Sequence, residues 1–296
     1  MKNRVKETII LVLMYVFIIA LMLGGTWGVA YLTEKLSGHE PDVMIRSITI
    51  NAAIFIPLLI FTIVRKDSIK DTFGLHKIKF TTALWAILLS IVCSPMYMLA
   101  NLLSQLFVPN VVAQNFDSLS SGVNNMGVLL FATVIMAPIF EELVCRGFFF
   151  NNFKKIYSVL IAAVVSALMF GIMHMNLNQF CYTLVLGIVF AFANQASGSI
   201  FTSMIAHFCI NAVGVGTLWL ASEALKVVGE TNLEEVATEN QAAGPNLTSI
   251  MIFSVLAIIS FLLTKAVIRK IAKNEGNEDK IENIPSNDSN VENELV

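Results

Sequence analysis

Three short stretches of this 296-residue chain put proton-moving and hydrogen-bonding side chains inside otherwise apolar segments. The first is Pro138-Ile139-Phe140-Glu141-Glu142-Leu143-Val144-Cys145-Arg146. Glu142 and Arg146 are four residues apart, share a helix face and can pair, while Glu141 points about 100° away from that face. One carboxylate is then tied to arginine and its neighbour is left to face a cavity, where it suits a general base or acid. A plain interfacial Glu–Arg pair would account for Glu142 and Arg146 but not for Glu141.

The second stretch is Phe170-Gly171-Ile172-Met173-His174, with the two rings stacked one helical turn apart. A lone histidine near a helix end is more often an interfacial residue than a catalyst. The third is His207-Phe208-Cys209-Ile210-Asn211, in which His207 and Asn211 share a face. Its bland alternative is an interhelical hydrogen bond, worth about 0.6 kcal/mol in a membrane bundle.

The elements that must carry these residues are set by composition. Hydrophobic residues make up 56% of the chain and charged ones 14%, with a mean hydropathy of +0.74. A soluble domain is nearer a quarter charged, so the chain belongs to the membrane class. Charged side chains in spanning helices cost at least ~2.5–3.5 kcal/mol each near the centre, so those present are paired or functional. Eight apolar segments are long enough to span, or nearly so: about 8–32, 47–64, 81–107, 126–150, 157–174, 179–194, 199–221 and 248–268. Backbone groups in lipid must be satisfied internally, so these segments are helices. The predicted fold is an all-α polytopic membrane bundle of about eight transmembrane helices around an internal polar cavity. The first segment is too long for a signal-peptide core and stays in place. The sequence has no internal repeat of the transporter kind.

With the N-terminus in the cytoplasm and eight alternating helices, sixteen of the nineteen basic residues fall inside. Only Lys35, Arg46 and Lys226 fall outside, where the loop at 222–247 is acidic through Glu223, Glu230, Glu234, Glu235 and Glu239. Both termini are expected in the cytoplasm, with residues 1–272 forming the membrane domain and 273–296 a disordered tail. The absence of organellar features points to a bacterial plasma membrane. The net charge of −2 gives no sign of nucleic acid as a partner; membrane lipids and a peptide or small membrane protein are the partners expected. The four cysteines stand singly in apolar stretches and read as packing residues.

Depth along the helices tests whether the three stretches can meet. Glu141 lies ~20 Å and His174 ~27 Å above a turn at Lys154-Lys155, so the two can face each other across a hairpin. His207 lies only ~12 Å from Ser199. A tilted helix or a sunken 195–198 loop is needed to bring it alongside.

The motifs E-E-x-x-x-R, F-x-x-x-H and H-x-x-x-N, in that order on separate helices, resemble the CPBP family, over roughly residues 70–220. That group includes type II CAAX prenyl endopeptidases and bacterial bacteriocin-processing or immunity proteins. The resemblance implies an intramembrane endopeptidase in which Glu141 activates water and His174 helps to position or deprotonate it. It implies that His207 and Asn211 stabilise the oxyanion, with Phe170, Glu142 and Arg146 in support. The family is often described as metalloproteases. Two histidines and a carboxylate could hold zinc, with His174 and His207 as ligands, and the same residues also suit a metal-free glutamate mechanism. No H-E-x-x-H motif is present, and a metalloprotease-type enzyme whose metal is left open is expected. Two other classes stay open: a non-catalytic immunity or regulatory protein that binds a peptide or partner, and a transporter with a Glu–Arg–His proton relay.

Overall fold

A computed structural model describes residues 2–39, 43–116, 126–229, 235–239 and 244–282. Every element assigned among them is helical. In chain order they are α1 (Lys2–Ser37), α2 (Val43–Val64), α3 (Ile69–Thr72), α4 (Phe80–Val92), α5 (Ser94–Ser104) and α6 (Val111–Gln114). There follow α7 (Met126–Lys154), α8 (Val159–Met173), α9 (Leu177–Ser197), α10 (Phe201–Val228), α11 (Leu247–Glu275) and α12 (Asp279–Glu282). Among the described residues, α1, α2, the α4–α5 pair, α7, α9, α10 and α11 make seven helices long and apolar enough to cross a bilayer. The chain is an integral, multi-pass, all-α membrane protein.

The expected fifth span, 157–174, is shorter than its sequence suggests. Ser158 caps α8 by accepting from the Ile161 amide, and helix begins only at Val159. Its fifteen residues reach ~22 Å, against ~30 Å of hydrocarbon. It survives because Ala162, Ala163, Ser166, Ala167, Phe170 and Gly171 are all buried. The 81–107 segment is two helices that meet at Cys93, just before Pro95, whose missing N–H cannot continue the ladder.

The hairpin of α8 and α9 lies at the centre of the bundle. Most of α9 is buried within the bundle, whereas most of α11 is not. Gly187 makes the hairpin tight: a Cβ there would stand 2.6 Å from Ala167 Cβ and 3.0 Å from a terminal nitrogen of Arg146. Two apolar clusters flank the hairpin. One, which includes Phe73, Phe148, Phe149, Phe150 and Phe170, joins α1, α2, α7 and α8. The other, which includes Leu89, Phe190, Ala206 and Ile271, joins α4, α9, α10 and α11.

The segments expected on one side of the membrane meet at one end of the bundle. There Thr8 bonds Tyr157, Arg65 pairs with Glu7 at 2.6 Å, and Lys154 reaches Gln195 at 3.2 Å. The 65–79 connection covers the α9–α10 turn, with the Ile200 amide donating to Gly74 O at 3.0 Å. The expected domain boundary at 272 falls inside α11, which runs to Glu275 and ends at a left-handed Gly276. Asn277 then donates to Ala196 O, and Gln195 donates to Lys280 O, which fastens these two residues to the α9–α10 turn. The rest of the expected tail, 283–296, and Glu230 and Glu234 of the acidic loop lie outside the described residues.

Candidate active site

The site lies at the seam between the two apolar clusters. Its foundation is the predicted pair on α7. Arg146 donates to Glu142 Oε1 at 2.9 Å, and both side chains are fully shielded from solvent. Among the described residues the remaining Arg146 nitrogens have no hydrogen-bond partner. Phe170 and Phe190 lie 4.2 and 5.3 Å from the guanidinium carbon, so ring faces take up part of its charge.

His207 of α10 stands between the same two rings, at 5.7 Å from Phe170 and 5.2 Å from Phe190. It is 4% exposed. Its Nδ1 meets Glu142 Oε1 at 3.1 Å, and its Nε2 lies 3.6 Å from Glu141 Oε2. Glu141 therefore shares a partner with Glu142 rather than standing apart from it. With a side chain 22% exposed, Glu141 is the carboxylate a substrate could reach.

The depth shortfall of His207 is made up by its loop. Ser199 and Ile200 are 1% and 2% exposed beneath the 65–79 connection, so α10 starts well inside the bundle. Below Glu142, Asn194 and Ser203 hold each other across the same turn, with Asn194 donating to Ser203 Oγ at 2.8 Å and accepting from its amide at 3.1 Å.

His174 is the C-cap of α8. Its Nδ1 meets the Phe170 carbonyl at 2.8 Å. A carbonyl can only accept, so Nδ1 carries a proton, and Nε2 is the nitrogen turned away from that bond. The Phe170 ring meets it edge-on at 4.9 Å. Starting α8 at Val159 puts His174 ~22 Å up, close to the ~20 Å of Glu141. Even so, neither ring nitrogen of His174 reaches ion-pair distance of a carboxylate among the described residues, where both contacts go to His207.

Beyond His174 the chain turns at Met175, a non-glycine residue with φ 50°. Asn176 caps α9, and buried Asn178 donates to Asn101 Oδ1 at 2.8 Å and Ser104 Oγ at 2.7 Å. The histidine turn is thereby pinned to α5.

Asn211 has a structural duty that its spacing does not announce. In α7 the residues Phe131–Met136 follow π-helical register, and the Ala137 amide donates to Ala132 O. The amide due to bond Thr133 O in that register would be that of residue 138, a proline with no N–H. Asn211 Nδ2 supplies the missing donor, at 2.9 Å from Thr133 O. One Asn211 N–H is thus committed and the other is open. A second π-helical stretch, Leu143–Phe150, follows the two glutamates.

Zinc needs three converging protein donors and an open position. Among the described residues no three His, Cys, Asp or Glu side chains converge in that way. His207 turns both nitrogens to carboxylates and His174 turns one to a carbonyl, so the donor set expected from residue types does not fit a zinc ion as arranged.

A largely apolar groove of about 640 Å³ reaches the site helix from the basic end. It is lined by Lys77, Phe80, Ile139, Met204 and Phe208 among others. Ile139 is two residues from Glu141, and Met204 is on the helix of His207.

The sequence did not point to Phe190, Thr133, Asn178, or the Asn194–Ser203 pair. A phenylalanine in an apolar helix and a backbone carbonyl leave no signature. The polar run Asn194-Gln195 before Ser197-Gly198-Ser199 carries no spacing that ties it to the three motifs.

Comparison with known proteins bears on this same stretch. The family model "Type II CAAX prenyl endopeptidase Rce1-like" matches residues 124–213, which contain all three motifs. The chain is similar to "Putative membrane peptidase YdiL" of Bacillus subtilis (strain 168), at 24% identity over 99 residues. That alignment covers 33% of this chain and 41% of the relative, so the likeness spans about two fifths of the relative's length. No solved structure matches the chain. Over residues 124–213, the stretch that holds all three motifs, the chain is thus similar to the type II CAAX prenyl endopeptidase family.

Proposed function

We propose that the chain is an intramembrane endopeptidase that hydrolyses a peptide bond in a membrane-associated or lipidated peptide. The observation that carries the reading is the partly exposed Glu141 beside buried His207, itself held by Glu142 and Arg146. Glu141 accepts a proton from water as the water oxygen bonds to the scissile carbonyl carbon. His174 orients that water through its Nε2. The free N–H of Asn211, together with His207, donates to the oxyanion that develops. Collapse of the intermediate breaks the C–N bond, and the proton taken from water ends on the leaving amine. Membrane lipids surround the bundle, both termini lie in the cytoplasm, and the apolar groove leads substrate towards the site.

The test is cleavage of a fluorogenic, lipidated peptide library by purified protein in detergent, with wild type beside Glu141→Ala and with and without a chelator. Turnover is expected to fall at least ~100-fold in the variant and to persist under chelation. A folded wild-type protein that cleaves nothing would move the reading to a peptide-binding or immunity role.

A further inference from the structure

We propose that Glu275 and Asn274, at the end of α11, are positioning residues for the apolar groove. They hold the start of α4 in place as part of its lining and so set how tightly the groove takes substrate. The catalytic meaning of this role rests on the endopeptidase reading.

The groove is lined by the start of α4 through Phe80 and Ala83, and by α10 through Phe201, Met204 and Phe208. A helix start leaves its first amides without intrahelical acceptors. Lys79 is the N-cap of α4, and its own side chain makes no capping bond. Its ammonium turns instead to the Asn274 carbonyl. The acceptor comes from another helix: Glu275 Oε1 takes the Lys79 amide at 2.9 Å and also the Thr82 hydroxyl. In a capping box that duty falls to a glutamate three residues beyond the cap. Here Thr82 stands at that place, and α11 supplies the carboxylate from outside. A carboxylate is also the charge that a helix N-terminus favours. Asn274 adds a second hold, its Nδ2 donating to Thr81 Oγ1 at 2.7 Å and to Thr82 Oγ1 at 2.6 Å.

The same segment reaches the root of α10. Past the left-handed Gly276, Asn277 Nδ2 donates to Ala196 O at 3.1 Å, and the Lys280 carbonyl accepts from Gln195 Nε2 at 3.4 Å. Both contacts fall at the turn from which α10 departs. Residues 274–280 therefore bracket the two helices that line the groove. Removing the bracket frees the first turn of α4 and leaves Glu141, His174, His207 and Asn211 in place, so binding should weaken while the chemical step persists.

Two measurements on the full-length protein in micelles test this. The first is hydrogen exchange over residues 77–84, which reports local opening. Glu275→Ala should speed exchange there about 2–30-fold, the range that loss of a cap converts to. Glu275→Gln, which keeps an oxygen acceptor, should restore most of the protection. The second is binding of a fluorescein-labelled palmitoylated peptide, read by anisotropy. Its Kd should rise about 2–30-fold in Glu275→Ala and stay near wild type in Glu275→Gln. In turnover, KM should rise by a like factor with kcat changed less than about 2-fold.

Faster exchange with an unchanged Kd would make the contact a purely structural tie and overturn the proposal. So would a fall in kcat alone, or a wild type that binds no such peptide. Should Glu275→Ala fail to fold, Asn274→Ala removes the second hold and carries the same expectations. A Kd that responds as expected in a protein that cleaves nothing would leave the clamp standing and count against the endopeptidase reading.

Discussion

Arg146 shows how a residue can be easy to find in a sequence and still be half hidden. Its pairing with Glu142 was readable from a four-residue spacing, because helical geometry puts such residues on one face. The stacking on Phe170 and Phe190 was not, since it depends on which helices pack together. The pair is fully buried, so deleting one partner strands the other in low dielectric. Arg146→Met should lower stability by about 3–5 kcal/mol, read as a loss of thermal or denaturant midpoint in micelles. Adding Glu142→Gln should recover a large part of it, since no uncompensated charge then remains. A double variant as unstable as the single would place the loss in packing on the rings instead.

At the level of elements, the positions of helices were legible from apolar runs, and their internal register was not. The 126–150 segment reads as one helix interrupted by a proline. The structure has one helix to Lys154 with two π-helical stretches around the glutamates. The physical reason is a mismatch of single donors and acceptors, which periodicity cannot see.

Asn211 and Pro138 are therefore coupled, and a double-mutant cycle measures it. Asn211→Ala alone should cost about 1–3 kcal/mol by leaving Thr133 O without a donor. In a Pro138→Ala background, where residue 138 regains its amide, the same change should cost about 1 kcal/mol less. Additive losses would mean that Asn211 does not serve the proline gap. The α8–α9 contact gives a second test. Gly187→Ala should destabilise by about 1–3 kcal/mol through its clash with Ala167, and Ala167→Gly in the same chain should restore most of that loss.

For the molecule as a whole, sequence counting and structure agree on which segments share an end. The start of α1, the 65–79 connection, the α7–α8 and α9–α10 turns and the end of α11 all meet there. They are also the segments that hold most of the basic residues. The positive-inside rule predicts that this end faces the cytoplasm. Single cysteines at Lys77 and Lys155, in a chain whose four native cysteines are replaced, should react with an impermeant thiol reagent only after the cells are opened. Labelling on intact cells would invert the topology. The three motifs could be read from the sequence, but the joining of both glutamates through one histidine could not, because that contact links residues 65 apart in sequence.

The shortness of α8 also bears on how the protein is made. A helix of ~22 Å gives the insertion machinery too little apolar length to release into lipid alone. Its stability comes from neighbours on either side, α7 before it and α9 after it. The hairpin of α7 and α8 must then enter the membrane as a unit and wait for α9 to close over it. The glutamate pair and the first histidine reach their final depth in one step of biogenesis, and the second histidine arrives only when α10 follows.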